Sequence, residues 1–563
     1  MRIVAGVAGL AFAGIVAAQG EEVTLLTAEL VRTMDPARPE AQAIAWDRQG
    51  LIVATGDAAV LAKRYSDAKR INLRDRVVVP GLIDAHAHVL GLGLSLMRAN
   101  LVGTSSKAEV IERLRAFERE LPADAWLLGR GWDQNDWPEK AFPTAADLDE
   151  AFPERPVYLE RVDGHAGWAN RAALARVGRE LDGDWQPDGG RIERRNGEAT
   201  GVLVDGAMTL VESKIPAPAP ELVERALDRA FAEMLKQGLT GVHDMGTSLE
   251  LLGHYRRRAD EGRLPLRITA YADGDGAALE HLCAKHVGGY RHDDGRLSMP
   301  GVKLYADGAL GSRGAALNDE YADDAGNTGL LVTEPAALDA AIAKAARCNV
   351  QAATHAIGDR ANRVVLDAYA RHRGGAPATA AAGEPTRVGA AVAERRWRIE
   401  HAQVVALDDI ARFAALDVIA SMQPTHATSD MPWAEARVGH DRIQGAYAWR
   451  KMRDAGVVLA FGSDFPVEAV DPRLGLAAAI TRQDASGKPE HGWYANERVT
   501  AHEALRGFTS DAAYAGFAED QVGRLAPGYR ADLVVLSGDP LEVAPTTLAV
   551  ERVYVDGRRV DAR

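Results

Sequence analysis

Cysteine and positive charge are scarce in this sequence. Its 563 residues contain only two cysteines, Cys283 and Cys348, and they lack the spacing of a zinc finger. Both lie in alanine-rich helical stretches, so the pattern leaves open whether they form a disulfide or stay as buried thiols. The formal net charge of -14 argues against a nucleic-acid-binding protein, because phosphate groups require a basic surface.

Long apolar runs are also missing beyond the N-terminus, so we expect no stable membrane insertion of the mature protein. The run Ile3–Val16 is too short to cross a bilayer comfortably. It follows one positive charge, Arg2, and precedes two small residues, Ala17 and Ala18. This pattern predicts a signal peptide over residues 1–18 and a periplasmic or secreted protein. A membrane anchor and a misassigned start are the alternatives.

The two ends of the chain share a strand-rich pattern. Residues 22–79 contain short runs of alternating apolar and polar residues that are separated by turn residues. Two similar runs, Ala531–Leu536 and Arg552–Gly557, lie in residues 515–563. Because these flanks surround a long middle segment, we expect one composite β-sandwich built from both termini.

The middle segment, residues 80–514, alternates short apolar runs with helical patterns, which is typical of a parallel α/β fold. Eight such runs predict a (β/α)8 barrel, with strands at Asp84–His88, Thr240–Asp244, Leu266–Ala272, Gly301–Asp307, Val350–His355, Arg398–His401, Val418–Gln423 and Val458–Asp464. Residues 92–220, between the first two strands, are too many for a loop and predict an inserted subdomain over the catalytic face. A helix is predicted at Lys107–Leu121, strands at Trp126–Arg130 and Val157–Arg161, and a later helix at Glu221–Leu235. Residues 374–393, rich in alanine and glycine, are interpreted as a flexible surface loop.

Candidate metal ligands stand at the ends of the predicted barrel strands. The apolar run that begins at Val77 reads as one buried strand ending in Asp84-Ala-His86-Ala-His88, whose alternate residues share one face. Catalytic residues of barrels lie at the C-terminal strand ends, so side chains there converge even when they are distant in sequence. The candidate ligands are His86, His88, Lys303, His355, His401 and Asp464.

These residues and their neighbours resemble the amidohydrolase superfamily, and its type-3 family in particular. The resembling segments are Lys303-Leu-Tyr-Ala-Asp307-Gly-Ala-Leu-Gly-Ser-Arg313, His355-Ala-Ile-Gly-Asp359, Ile399-Glu-His401-Ala-Gln, Gly462-Ser-Asp464-Phe-Pro and Gly528-Tyr-Arg-Ala-Asp532. The resemblance implies a metal-dependent hydrolase of non-peptide carbon–nitrogen bonds, with a barrel and a composite sandwich. It also implies a two-metal site, although a one-metal site stays open.

The chemistry of the candidate ligands fits this resemblance. Neutral imidazoles and a carboxylate suit zinc, and a bound divalent ion lowers the pKa of water from 15.7 to about 7. We expect Asp464 to be both a ligand and the general base, and His426 to polarise a substrate carbonyl. Lys303 is unusual because an ammonium only donates hydrogen bonds, so it ligates a metal only after its amine forms a carbamate with CO2. An ion pair with Asp307 is the alternative for Lys303.

Four residues are candidates for substrate contact: Trp132 and His165 in the insertion, and Asp307 and Arg313 beside glycines that allow close approach. Arg313 could bind a substrate carboxylate in a fork.

The predicted reaction is hydrolysis of an amide, a formamide or a cyclic imide or ureide of small size. An ester, lactone or phosphoester hydrolase with the same site is an alternative. A non-catalytic periplasmic binding protein is another, but it would not need Asp464 and four histidines at strand ends. The sequence leaves the oligomeric state open, homo-oligomers included.

Overall fold

A computed structural model describes residues 22–119, 121–122, 125–373 and 395–560. The predicted signal peptide at 1–18 and the predicted flexible loop at 374–393 lie outside these residues. Within the described ranges, no helix combines the length and the apolar character needed to cross a membrane.

The N-terminal part forms five strands and one helix, and its last strand ends where the barrel begins. The elements are β1 (Thr24–Arg32), β2 (Glu40–Trp46), β3 (Ile52–Gly56), α1 (Ala58–Arg64), β4 (Lys69–Asn72) and β5 (Val77–Pro80). The single strand expected from Val77 to His88 is wrong, because Gly81 divides it into β5 and the first barrel strand, β6 (Leu82–Ala87). A Cβ at Gly81 would lie 2.0 Å from Oγ1 of Thr240, so only glycine fits at this junction.

The predicted insertion is a separate mixed sheet with its own apolar core. After α2 (Val89–Ser95), its elements are β7 (Ala99–Asn100), α3 (Lys107–Glu118), β8 (Leu127–Trp132), α4 (Ala145–Asp149), β9 (Val157–Arg161), β10 (Ala166–Ala169), α5 (Arg171–Leu174), β11 (Gly190–Arg195), β12 (Glu198–Asp205) and α6 (Thr209–Glu212). Its six strands run in the order β11-β12-β10-β9-β8-β7.

The remaining barrel units follow in chain order, with α7 matching the predicted amphipathic helix. The elements are α7 (Pro220–Lys236), β13 (Leu239–Thr247), α8 (Leu249–Asp260), β14 (Arg267–Asp273), α9 (Ala277–Lys285), β15 (Tyr290–Arg291), β16 (Leu297–Tyr305), α10 (Pro335–Arg347), β17 (Gln351–Ala356), α11 (Asp359–His372), β18 (Arg398–His401), α12 (Leu407–Ala415), β19 (Ile419–Met422), α13 (Pro424–Asp430), α14 (Ala434–Arg442), α15 (Trp449–Asp454), β20 (Leu459–Phe461), α16 (Pro472–Thr481), α17 (Ala501–Gly507) and α18 (Ser510–Ala515).

Eight parallel strands form a nearly closed barrel, which confirms the predicted fold class. Their order is β6-β13-β14-β16-β17-β18-β19-β20, so each strand pairs with its neighbour along the chain. The last strand approaches the first through the loop after β20, where the backbone N–H of Asp464 donates to the carbonyl of His86 at 2.7 Å. All strand C-termini, and the residues that follow them, therefore face one rim.

The C-terminal strands β21 (Leu533–Leu536), β22 (Val550–Val555) and β23 (Arg558–Arg559) join the N-terminal strands in one sheet. The connection is β21 pairing with β5, so the two ends form one eight-stranded sheet instead of two facing sheets. The sheet curls over a shared core, because the rings of Trp46 on β2 and Tyr554 on β22 lie 6.1 Å apart although three strands separate them in the sheet order. The strands from both ends of the chain thus enclose one shared core, as expected for the composite unit, and a single curled sheet forms it.

Two further observations bear on the expectations from the sequence, one on a domain boundary and one on the cysteines. Residues 515–522 were grouped with the terminal sheet, but Ala515 and Val522 pack with Ile83 and Ile419 of the barrel strands. Cys283 and Cys348, whose pairing the sequence left open, form a disulfide that joins α9 to the end of α10.

The barrel and the terminal sheet are joined by a buried ion pair. Arg267, the first residue of β14, donates from Nε to Asp532 at 2.7 Å and from Nη2 to Asp556 at 2.5 Å. The side chains of Arg267 and Asp532 are only 9% and 2% exposed, so loss of either leaves a buried charge with too few partners.

We expect Asp532→Asn to lower the free energy of unfolding by about 3 kcal/mol, because Arg267 would keep only Asp556. Urea unfolding followed by circular dichroism measures the change. Glu551→Gln is the control, because its pair with Arg76 is about one-third exposed and should contribute little to the free energy of unfolding. Equal effects of the two variants would contradict the role of the Arg267 pair.

Candidate metal centre

The barrel rim brings the predicted histidines and Asp464 together. His86 lies on β6, and His88 is the N-cap residue of α2. His401 is the last residue of β18, and Asp464 lies in the loop after β20. The His86 and His401 rings lie 4.7 Å apart, and the His401 and His355 rings 4.6 Å apart. His401 and Asp464 adopt positive φ angles of 72° and 62°, the unusual backbone often found where a strand end aims a functional side chain.

Asp464 is shared between two groups of ligand atoms. Its Oδ1 lies 3.5 Å from Nε2 of His86 and 3.0 Å from Nε2 of His88, whereas its Oδ2 lies 3.8 Å from Nε2 of His426. The groups are His86, His88 and Asp464, and His401, His426 and Asp464, with ligand atoms within 4.8 Å of one another in each. The arrangement therefore offers either one shared metal position or two adjacent ones.

The outer ring nitrogens of three histidines make hydrogen bonds that fix which nitrogen faces the centre. Nδ1 of His86 donates to Glu400 at 2.6 Å, and Nδ1 of His88 donates to the carbonyl of Met245 at 2.8 Å. Nδ1 of His401 donates to Oε1 of Gln423 at 2.8 Å. With the proton held on Nδ1, each Nε2 presents a lone pair inward, the tautomer that metal binding requires.

The ligand atoms at this site have the chemistry that a cation requires. Nε2 of His86, Nε2 of His88 and Oδ1 of Asp464 all converge as acceptors, and among the described residues Oδ1 of Asp464 has no hydrogen-bond donor. Acceptors at such distances repel one another unless a cation lies among them. Burial lowers the pKa of His86 to about 3 and also lowers that of His401, so these imidazoles are neutral at pH 7 and able to bind a metal.

Glu400 and Arg398 are functional residues to which the sequence analysis gave no role. Both are fully buried on β18, and Arg398 binds Glu400 through Nε at 2.5 Å and Nη2 at 3.0 Å. Burial would raise the pKa of Glu400, but Arg398 and His86 outweigh it and hold that pKa well below its usual range. The sequence pattern that could have identified them is Arg398-Ile-Glu400. Alternate residues of a strand share a face, so both charges are placed inside the barrel.

Asp307 supports His355 instead of contacting substrate, contrary to the expectation from sequence. It lies beyond the end of β16, is 1% exposed, and accepts backbone N–H groups of Ala316, Ile357 and Gly358 at 2.8–2.9 Å. Its Oδ1 is 3.4 Å from Nε2 of His355, so the carboxylate lies beside that ring. Asp307 is buried and does not line the cavity, so its predicted contact with substrate is wrong.

Lys303 lies inside the rim and makes no ion pair with Asp307 among the described contacts. Its Nζ is 3.1 Å from Nε2 of His86, and the residue is 1% exposed. Burial lowers the pKa of Lys303 to about 8. A charged Lys303 would donate to the same His86 nitrogen that a metal would need.

A cavity of about 1420 Å³ extends from the centre to the mouth of the barrel. Its wall includes His165 and Arg313, two of the predicted substrate residues, together with His426. His165 donates from Nδ1 to Asp205 at 2.6 Å, and its ring lies 5.6 Å from that of His355. Burial disfavours the charged ring, but Asp205 and Asp163 outweigh it and raise the pKa of His165 to about 9.

Trp132 does not reach the cavity, so its predicted role in substrate contact is wrong. The side chain is completely buried in the core of the insertion, where it packs against Trp137 and Trp168 and donates to the carbonyl of Leu159. The polar residues that follow it do line the cavity, namely Asp133, Asn135 and Asp136.

Taken together, the barrel, the convergent histidines and the shared carboxylate define a metal-dependent hydrolase. The chain belongs to the amidohydrolase family, whose profile matches residues 69–561. It is 33% identical to the protein named amidohydrolase YtcJ of Bacillus subtilis (strain 168), over 91% of this chain and 94% of that protein.

Two further comparisons extend the family relationship. The chain is 28% identical to the N-substituted formamide deformylase of Arthrobacter pascens, over 94% of this chain and 96% of that enzyme. The crystal structure of an uncharacterized metal-dependent hydrolase from Pyrococcus horikoshii OT3 superposes with a TM-score of 0.74 and 27% identity. That alignment covers 93% of this chain and 99% of the other.

We expect Glu400→Gln to weaken metal binding roughly 10- to 100-fold, because the amide holds the His86 ring less firmly and leaves Arg398 without its charge partner. Competition with a fluorescent chelator measures the affinity, and circular dichroism checks the fold. Asp409→Asn, which loses buried contacts to Arg363 and Arg412 elsewhere, is the control and should bind metal normally. Unchanged affinity in Glu400→Gln would refute this role.

Proposed function

We propose that the protein hydrolyses a carbon–nitrogen bond in an amide, a formamide or a cyclic imide or ureide. The observation that carries the proposal is Asp464, a carboxylate held between two sets of imidazoles at the floor of a large cavity. The similarity to an N-substituted formamide deformylase supports the same bond type. The amine or amide left after cleavage would be released through the mouth.

Zinc is the proposed metal, because imidazole and carboxylate ligands suit it, and the two groups around Asp464 have room for one or two ions. When bound, the metal lowers the pKa of a water and polarises the substrate carbonyl. His86, His88, His355, His401 and Asp464 would hold it.

Asp464 is the proposed general base. One oxygen, Oδ1, faces His86 and His88, while Oδ2 points towards His426 and the cavity wall. A carboxylate in this position takes the proton from the attacking water and passes it to the nitrogen of the leaving group. One group thus serves both proton transfers without moving.

His426 and His165 are the proposed contacts for the substrate oxygen. Nε2 of His426 is buried and has no hydrogen-bond partner within the described ranges, so with a single ion at His86, His88 and Asp464 it would be available to donate to a carbonyl. His165, kept protonated by Asp205, places a second donor beside His355. Donors already oriented towards the developing negative charge lower the barrier without reorganisation.

Asp464→Asn should lower kcat by roughly 100- to 10,000-fold while most of the metal stays bound, because the amide keeps an oxygen ligand but cannot accept the proton. N-substituted formamides, N-acyl amino acids and hydantoins are the substrates to screen, with metal content measured in parallel. Asp408→Asn, an exposed change on α12, is the control. If the wild-type protein, loaded with metal, turned over none of these substrates, the proposed reaction would be wrong.

We also propose that Lys303 carries a carbamate. Its neutral amine forms an N–C bond with CO2 and releases one proton, which replaces a cation beside His86 with an anion able to bridge metals. The lowered pKa of Lys303, about 8, supplies a sizeable neutral fraction near neutral pH.

Carbon-13 NMR of protein incubated with labelled bicarbonate should show a carbamate resonance that is missing in Lys303→Met. Lys344→Met, which changes a partly exposed lysine paired with Asp275, should keep the resonance. A spectrum without the resonance in the wild-type protein would mean that Lys303 acts as an amine.

A further inference from the structure

Two arginines on the wall of the cavity near its mouth share a single acidic partner. Arg313 donates two hydrogen bonds to Asp323, from Nε at 3.2 Å and from Nη2 at 2.9 Å. Arg437, on α14, pairs with the same carboxylate through Nη1. Two guanidinium groups thus share one carboxylate, and neither has an acidic partner of its own.

The neighbouring arginine is different. Arg161 is held by two carboxylates, Asp133 and Asp163, each at 2.5 Å. These two carboxylates take up its donors, so Arg313 and Arg437 are the arginines of this wall that share a partner. Burial lowers the pKa of Arg437, and the charge of Arg313 acts in the same direction, although Asp323 opposes both.

Two buried donors at the same wall lack acceptors among the described residues. They are Nε of Arg437 and Nδ2 of Asn135. The side chains are neighbours, since Nη2 of Arg437 lies 3.4 Å from Oδ1 of Asn135, and both residues line the cavity. A buried N–H group without an acceptor costs free energy. A ligand oxygen that accepts from these groups, after the two side chains rearrange around it, would remove that cost.

Neighbouring side chains of the cavity wall connect the metal centre to Arg437. From His355 the wall passes to His165 and then to Arg161, whose Nη1 would be 3.1 Å from a Cβ at Gly311. That same Cβ would be 3.3 Å from the ring of Trp433, and Arg437 lies 5.4 Å from this ring. A ligand that spans from the centre to Arg437 would therefore lay an apolar linker across Trp433.

We propose that Arg313, Arg437 and Asn135 form a carboxylate subsite, so that the substrate is an amide whose far end carries a carboxylate on an apolar linker. The inference rests on the proposed carbon–nitrogen hydrolysis and names its substrate class. The reacting bond lies at Asp464 and the carboxylate at the mouth, and Arg437 and Arg313 together replace the water that the carboxylate gives up.

N-formyl ω-amino acids of increasing length, from N-formylglycine to N-formyl-6-aminohexanoate, are the test substrates. Each is compared with its terminal carboxamide, which has the same shape without the charge. The wild-type enzyme should prefer the carboxylate by roughly 10- to 100-fold in kcat/KM at the best length, the range expected for charge-assisted hydrogen bonds. Short members such as N-formylglycine should show the smallest preference, because their carboxylate stays closest to the reacting bond.

Arg437→Gln and Arg313→Gln should each remove most of this preference, because kcat/KM should fall much further for the carboxylates than for the carboxamides. Carboxamide turnover also reports whether each variant is folded, and Arg313→Gln, at a partly exposed side chain, provides the second test if Arg437→Gln is unstable. Arg442→Gln is the matched control, since Arg442 lies on the same helix but binds only the carbonyls of Val438, Asp319 and Glu320.

The results separate the two proposals. Turnover of carboxamides and carboxylates with equal kcat/KM in the wild-type enzyme would overturn the subsite and keep the carbon–nitrogen hydrolase. A preference that survives in both glutamine variants would also overturn it. Absence of turnover for every N-formyl compound would count against the proposed function, and calorimetric binding of the 6-aminohexanoate derivative, weakened in Arg437→Gln, would then still support the subsite.

Discussion

A single buried carboxylate, that of Glu400, is the constraint on which the candidate metal centre depends. It fixes the tautomer of His86, but a lone charge inside a barrel would be too costly, so Arg398 must accompany it. Arg398 in turn bonds to Ala85 of β6, Ser421 of β19 and His243 of β13. The ion pair that orients a metal ligand therefore also fastens four barrel strands to one another, and the geometry of the site cannot change without the barrel changing.

The floor and the mouth of the cavity are built by different parts of the chain. The floor consists of strand ends, which the barrel hydrogen bonds hold in register. The mouth consists of the insertion and of the segment around α14, and specific contacts attach the insertion to the floor. One attachment is Arg130 on β8, which donates to the carbonyl of Pro466, two residues after Asp464. Another is the contact between the His165 and His355 rings.

This division explains how much could be predicted from the sequence. Residues whose position follows from a strand end, such as His86 and His401, were found because the period of the fold dictates where they point. Trp132 and Asp307 were misplaced because Trp132 is the last residue of β8 in the insertion and Asp307 lies beyond β16, where the adjoining loop decides the orientation of a side chain. Trp132 turned into the insertion core, while its neighbours Asp133 and Asn135 turned to the cavity.

Pairing partners that are distant in sequence were the other limit. The carboxylate of Glu400 meets His86 across 314 positions, and Arg437 meets Asp323 across 114. No local pattern reports such a contact, so the carboxylate shared by Arg313 and Arg437 at the mouth becomes apparent only once the chain is folded. The same reasoning separates the chemistry from the choice of substrate. Strand ends determine which bond can be attacked, whereas loops that can change without disturbing the barrel determine which molecule is held there.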